Sequence, residues 1–405
     1  MSVPDQTSSK APVSIGRRIF DWLSGFGLAT SLLLLLGILT WLATLEQRDS
    51  GLYATLNKYF DWKSLYILPE INGKMVPIPL PGGYWVCALL TVNLALGGIL
   101  RIRKGLKQIP NIISHSGIII LLVGGGVTHH FSERGNLAVG EGETSNVAED
   151  YFEYVVEATE VIDNKPMVIH VIRGKQIDDL NDKVRLFKFP DLPFDLEIAG
   201  YLENAQPIAT TERAPDNGEL ISDGYYLQSK PGEKNAEANT AACYARVVER
   251  DGTKGGPIIL AGASFHPFTL RHGDRIFTLD MRKRLWVMPF DLTLNKFTAE
   301  FYDGTSRPKK FVSQVTRTEN NLKADATIQM NEPLRYEGLT FFQASYGPPG
   351  AGPGQKLYSV FEVVKNPADK WPEYSLWVVV VGLLLQFVLK LVLFIISRFS
   401  HEKSA

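Results

Sequence analysis

Four long apolar runs near the two ends of the chain constrain its fold more than any other feature: residues 26–45, 84–100, 111–127 and 374–396. Each is close to the roughly 20 residues an α-helix needs to cross a bilayer. The polar, acidic and aromatic segments lie between the third and fourth runs, so the chain is built for two solvents. Its overall 45% hydrophobic content averages over both. The first run follows basic Lys10, Arg17 and Arg18 and ends in Ala43-Thr44-Leu45-Glu46, without a small-residue cleavage pattern. It therefore reads as a retained anchor rather than a signal peptide.

Charge sets the expected orientation. Arg101, Arg103, Lys104 and Lys107 lie in the short loop between the second and third runs, and the positive-inside rule places that loop in the cytoplasm. The expected order is a cytoplasmic N-terminus (1–25), a first span (26–45), an extracytoplasmic loop (46–83) and a second span (84–100). A cytoplasmic basic loop (101–110), a third span (111–127), an extracytoplasmic domain (128–373), a fourth span (374–396) and a cytoplasmic tail (397–405) follow. In a bacterium this is a multi-pass protein of the inner membrane with its large domain on the periplasmic side.

The large domain carries short alternating runs, such as Tyr154-Val155-Val156-Glu157-Ala158, punctuated by Asp251-Gly252, Asp303-Gly304 and Glu337-Gly338. This is the pattern of strands and turns. The fold class is thus α + β: four transmembrane helices and a β-rich domain. Leu192-Pro193-Phe194-Asp195-Leu196 is echoed by Met288-Pro289-Phe290-Asp291-Leu292, which raises two related β halves; a chance echo between strands that begin with proline explains it as well. Residues 206–242 are the best candidate for a flexible insertion.

Several chemistries are excluded. A formal net charge of -1 does not suit a nucleic-acid partner. The two cysteines, Cys87 in a span and Cys243 in the β domain, make neither a disulfide framework nor a C-x-x-C motif. They read as small apolar-site residues. No Ser-His-Asp arrangement, phosphate-binding loop or zinc signature is present, and Gly124-Gly125-Gly126 sits in an apolar run rather than after a strand.

His115 is the one histidine inside the expected spans. An imidazole in the hydrocarbon is a candidate functional group facing the bundle interior. It fits two roles: an axial ligand of haem iron, or a hydrogen-bonding group between helices. Gly117, Gly124, Gly125 and Gly126 on the same run admit either a second helix or a flat macrocycle. Arg101, Arg103 and Lys104 could contact haem propionates or serve only as topology determinants. His129 and His130 follow the third run and read as interfacial polar residues; His170, His266 and His272 read as structural. Lys390 in the fourth run reads as a snorkelling side chain.

Residues 330–346, Met-Asn-Glu-Pro-Leu-Arg-Tyr-Glu-Gly-Leu-Thr-Phe-Phe-Gln-Ala-Ser-Tyr, resemble the N-x-P-L-x-Y-x-G-x-x-F-[FY]-Q-x-S-Y signature of the ResB (CcsB) family of system II cytochrome c biogenesis. Met288-Pro289-Phe290-Asp291-Leu292 with the later Phe301-Tyr302-Asp303-Gly304 is similar to a second family pattern, and the order of three spans, domain and last span also matches. The resemblance implies a non-catalytic or co-catalytic subunit of a haem lyase. Such a subunit handles haem b, transiently shared with a ResC/CcsA-type membrane partner, and helps attach it to apocytochrome c. A thiol-disulfide reductant of the pathway is a further implied partner. By position, His115 is the implied axial ligand. For residues 331–346 a folding role is favoured over contact with substrate. The alternative reading of the whole chain is a membrane-anchored β domain that binds a protein partner without haem. A stand-alone b-type electron carrier is a third, which the single membrane histidine opposes.

Overall fold

A computed structural model describes residues 14–71, 74–103, 105–163, 165–213, 215, 220–264, 266–305, 308–348 and 355–402. The chain divides into two compact units, one of residues 1–132 with 367–405 and one of residues 133–366.

The first unit is helical. Helix α1 (Ile15–Leu23) is short and amphipathic, with Ile15, Ile19 and Trp22 exposed on one face. Helix α2 (Phe26–Ser50) is the first long apolar helix, and α3 (Leu52–Phe60) turns back against its end. Buried Glu46 fixes that turn: it accepts hydrogen bonds from Lys58 Nζ (2.5 Å), Tyr59 Oη (2.9 Å) and the Glu70 backbone N–H (3.2 Å). A carboxylate can be buried here because each contact offsets its desolvation. Helix α4 (Gly83–Asn93) continues as a π-helix over Leu94–Leu100; α5 (Ile109–Phe131) and α6 (Trp371–Glu402) complete the unit. Among the described residues, four helices are long and apolar enough to cross a membrane: Phe26–Ser50, Gly83–Leu100, Leu106–Phe131 and Trp371–Arg398.

The helices outrun the apolar stretches that announce them. Pro110 takes an early position of α5, where its missing N–H costs nothing, so the helix starts before residue 111. At the other end it takes in His129 and His130, which therefore lie in its last turn rather than after it. His115 sits six residues into the helix, about 9 Å from its start.

Small residues set how α5 and α6 approach. A Cβ on Gly117 would stand 2.6 Å from Val379 Cγ2, and one on Gly124 would stand 3.1 Å from Trp371 Cβ. Ser375 Oγ donates to the Gly117 carbonyl at 2.9 Å. Two glycines of α5 therefore serve a helix–helix contact of the small-residue kind.

The second unit is β-rich. Its largest sheet has ten antiparallel strands, and a four-stranded sheet orders Ile258–Ala261, Ala242–Glu249, Phe194–Leu202 and Val184–Phe187. Thr144–Ile162 and the 27-residue strand Arg275–Phe301 run along each other with two breaks in register. Gly252, Gly304 and Gly338, at the three expected turns, have φ of 89°, 71° and 72°, the left-handed region glycine enters without strain.

Two large hydrophobic cores fill this unit, beside a small cluster of Ala205, Leu227, Ala242 and Ala261. The first includes Val156, Phe194, Leu196, Phe277 and Leu279, and the second includes Leu137, Phe290, Leu292, Phe341 and Phe361. The echoed pentapeptides thus each bury a Phe and a Leu two residues apart, in different cores, as strand alternation requires. Their sheets differ, since Phe194–Leu202 lies in the four-stranded sheet and Arg275–Phe301 in the ten-stranded one.

Arg284 occupies the register break of the long strand, where Lys283 pairs with Tyr154 and Leu285 with Glu149. Its Nη2 donates to Asp150 Oδ2 (2.8 Å) and Glu133 Oε1 (3.2 Å), and its Nε forms an ion pair with Glu153 Oε2 at 2.8 Å.

The described residues of the segment expected to be a flexible insertion include two paired strands. Ala205–Ala209 and Tyr225–Ser229 form an antiparallel ribbon, and buried Asn204 donates to the Pro231 carbonyl (2.7 Å) while accepting from the Thr240 N–H (3.2 Å). Polar composition suggested a loop; these side-chain bonds to backbone replace the apolar packing it lacks.

Candidate functional site

Geometry gives His115 a specific partner. Its Nδ1 lies 3.1 Å from the carbonyl oxygen of Gly98. A carbonyl can only accept, so Nδ1 carries the proton; in the neutral ring Nε2 then holds the free lone pair. This is the arrangement found behind metal-bound histidines, where the second ring nitrogen donates to a backbone carbonyl or carboxylate.

Gly98 belongs to the π-helical turn Leu94–Leu100. Such turns are uncommon and recur at functional sites, because the wider turn re-aims a carbonyl. Gly98 must also be small, since a Cβ there would stand 2.6 Å from Nδ1 of His115. Its neighbour Gly97 is equally constrained, with a Cβ position 2.6 Å from the Ser24 carbonyl oxygen.

The turn is held from the other side by the junction of α1 and α2. Asn93 is 4% exposed, and its Nδ2 donates to the carbonyls of Leu23 (2.6 Å) and Gly25 (3.0 Å). Asn93 is a polar residue inside a span, and the rule that singled out His115 applies to it too. Gly98 has no comparable sign, because a partner that acts through its backbone leaves no side-chain signature.

Arg101 is engaged at this junction. Its Nη1 donates to Ser24 Oγ (2.8 Å) and the Asp21 carbonyl (3.2 Å), and its Nη2 stands 3.5 Å from the Asp21 carboxylate. Arg103 is exposed, and Lys104 lies outside the described residues. Of the three basic residues, Arg101 serves first as a staple between α1 and the π-helical turn.

His129 and His130 lie at the other end of α5, fourteen residues and about 21 Å along the helix from His115. His129 Nε2 is 3.5 Å from Asp61 Oδ2, and His130 Nε2 shares a 3.0 Å hydrogen bond with Tyr84 Oη. Among the described residues no group of three or more His, Cys, Asp or Glu could hold a metal ion.

In the β unit the signature residue Gln343 is committed to the interior. Ser313 Oγ donates to Gln343 Oε1 (2.6 Å), Gln343 Nε2 donates to Ser359 Oγ (2.9 Å), and both serines are fully buried. Arg317 lies over the ring of Tyr336, 3.3 Å from its centroid, and Tyr336 Oη donates to Glu319 Oε2 (2.5 Å). Residues of this motif therefore join strands to one another.

Residues 251–353 match the ResB-like family. This segment is ResB-like. The matched segment contains most of the second core, Arg284, and Gln343 with its partner Ser313. The chain is also similar to Protein NrfI of Wolinella succinogenes, at 23% identity over 265 residues. That alignment covers 65% of this chain and 26% of the relative, so the chain spans about a quarter of NrfI's length.

Proposed function

We propose that this ResB-like chain is a subunit of the system II cytochrome c synthesis complex. It holds one axial side of a haem b within the membrane while a ResC/CcsA-type companion supplies the other, and the β unit works on the outer side, where apocytochrome c receives the haem. The orientation follows from the basic loop, with Arg101 and Arg103 inside and the β unit in the periplasm. The chain acts with its companion rather than as a catalyst alone.

The observation that supports this reading is the His115–Gly98 hydrogen bond, which leaves the Nε2 lone pair free to ligate and holds the ring. Haem chemistry fits the residues present: half-buried His115 offers one axial nitrogen to the iron. The need for a companion is physical. His129 and His130 are too far along α5 to reach the same iron, and the apolar spans contain no methionine. Arg103 is the described basic side chain best placed in sequence for a propionate, since Arg101 is held by Ser24 and Asp21.

The test is the haem content of the chain purified with its companion, compared with that of the His115→Ala complex at equal protein. Loss of haem and of cytochrome c maturation is expected. Full retention of both contradicts the assignment of His115.

A further inference from the structure

A cavity of about 670 Å³ lies between α4 and the far half of α5, remote from His115. Its volume is in the range of small-molecule sites. One end is polar and aromatic, with Tyr84, His129 and His130. The floor is apolar, and Thr91 there is neutralised because its hydroxyl donates to the Cys87 carbonyl at 2.9 Å.

Gly125 and Gly126 form part of the wall, and a Cβ on either would meet nothing within 4 Å. Unlike Gly117 and Gly124, they are not required by packing against α6. Glycine inside a helix costs about 1 kcal/mol relative to alanine, and here it leaves a flat strip of backbone facing an empty space.

We propose that this cavity binds a lipid-soluble quinone, an oxygenated planar ring with a hydrocarbon tail. The ring lies on the Gly125–Gly126 strip, its oxygens meet the Tyr84–His130 and His129–Asp61 pairs, and the tail follows the apolar floor. The polarity gradient along the cavity matches such a molecule from end to end. A helix of another protein would leave these pairs facing an apolar surface, at a cost in desolvation. The proposal does not rest on the role given to His115.

The test uses the full chain in lipid nanodiscs with an azido-quinone photoprobe, competed by decylubiquinone. Crosslinks should map to residues 84–91 and 125–130 and be lost on competition. Gly126→Phe, which fills the cavity without a clash at Cβ, should abolish them. Tyr84→Phe should weaken apparent affinity by about tenfold through loss of one hydrogen bond. Crosslinks that decylubiquinone does not compete, or that survive Gly126→Phe, would overturn the proposal. So would haemin, or a co-purified membrane protein, occupying the cavity in place of the quinone. His115→Ala should leave quinone crosslinking unchanged, which separates this site from the haem reading.

Discussion

The Nδ1 of His115 and the carbonyl oxygen of Gly98 are 3.1 Å apart, and that contact joins the third apolar helix to a π-helical turn at the end of the second. The turn is in turn clamped to the α1–α2 junction by Asn93 and Arg101. The orientation of one imidazole therefore depends on three segments distant in sequence.

Gly98→Ala is expected to push the ring aside, since the added Cβ would stand 2.6 Å from Nδ1. Outer-shell changes of this kind weaken metal affinity by about 10- to 100-fold. Haem titration of the purified complex should show a loss of that order, with the thermal transition of the β unit unchanged. Equal affinity in the variant would mean that the carbonyl does not orient the ligand.

How much of this was legible in the sequence depends on the kind of interaction. Hydropathy alone announced the four long helices, because the bilayer demands apolar length. The in-span rule for polar residues reached His115, and it extends to Asn93. The Gly98 carbonyl stayed hidden because its role arises from a turn type and a packing distance. The echoed pentapeptides were visible as a repeat, whereas the structure alone places Phe194, Leu196, Phe290 and Leu292 in the cores. Which strands pair was not legible, since the partnership of Thr144–Ile162 with Arg275–Phe301 joins segments more than a hundred residues apart. Nor did sequence reveal that Arg284 would turn inward, because a register break has no composition of its own.

Removing Arg284 should be among the most damaging changes in the β unit. Its side chain is 13% exposed and Asp150 is comparably covered, so Arg284→Ala leaves Asp150 without its cation, while Glu153 keeps Arg173. Breaking a buried ion pair from one side costs about 3–5 kcal/mol. The partly exposed Glu133 adds little, owing to solvent screening. Chemical unfolding followed by circular dichroism should show a loss in this range; a loss below 1 kcal/mol would mean that water screens the cluster.

Gln343→Leu should destabilise the β unit by removing the shared partner of two buried serines, which keep only their bond to each other. Ser313 and Ser359 are fully buried and bond to Gln343 as well as to each other. An unsatisfied buried polar group costs about 1–3 kcal/mol. The triple variant Gln343→Leu, Ser313→Ala, Ser359→Ala should regain part of that loss in thermal melts. A triple variant no more stable than the single one would contradict the network account.

Cys243 should be inert in the folded protein. Burial among the first core pushes its thiol up to about 12, so at pH 8 it stays protonated and shielded. Maleimide labelling of native protein should spare Cys243 and modify it only after denaturation. Modification of the native protein at pH 8 would show that the first core opens.

The central claim is that Nε2 of His115 is one of two axial nitrogens on a haem shared with a companion chain. Its most direct test is the absorption spectrum of the His115→Gly complex, recorded before and after adding free imidazole. The vacated space should accept imidazole, restoring the low-spin six-coordinate spectrum in proportion to imidazole bound. A His115→Gly complex that shows the wild-type spectrum without imidazole would contradict the account.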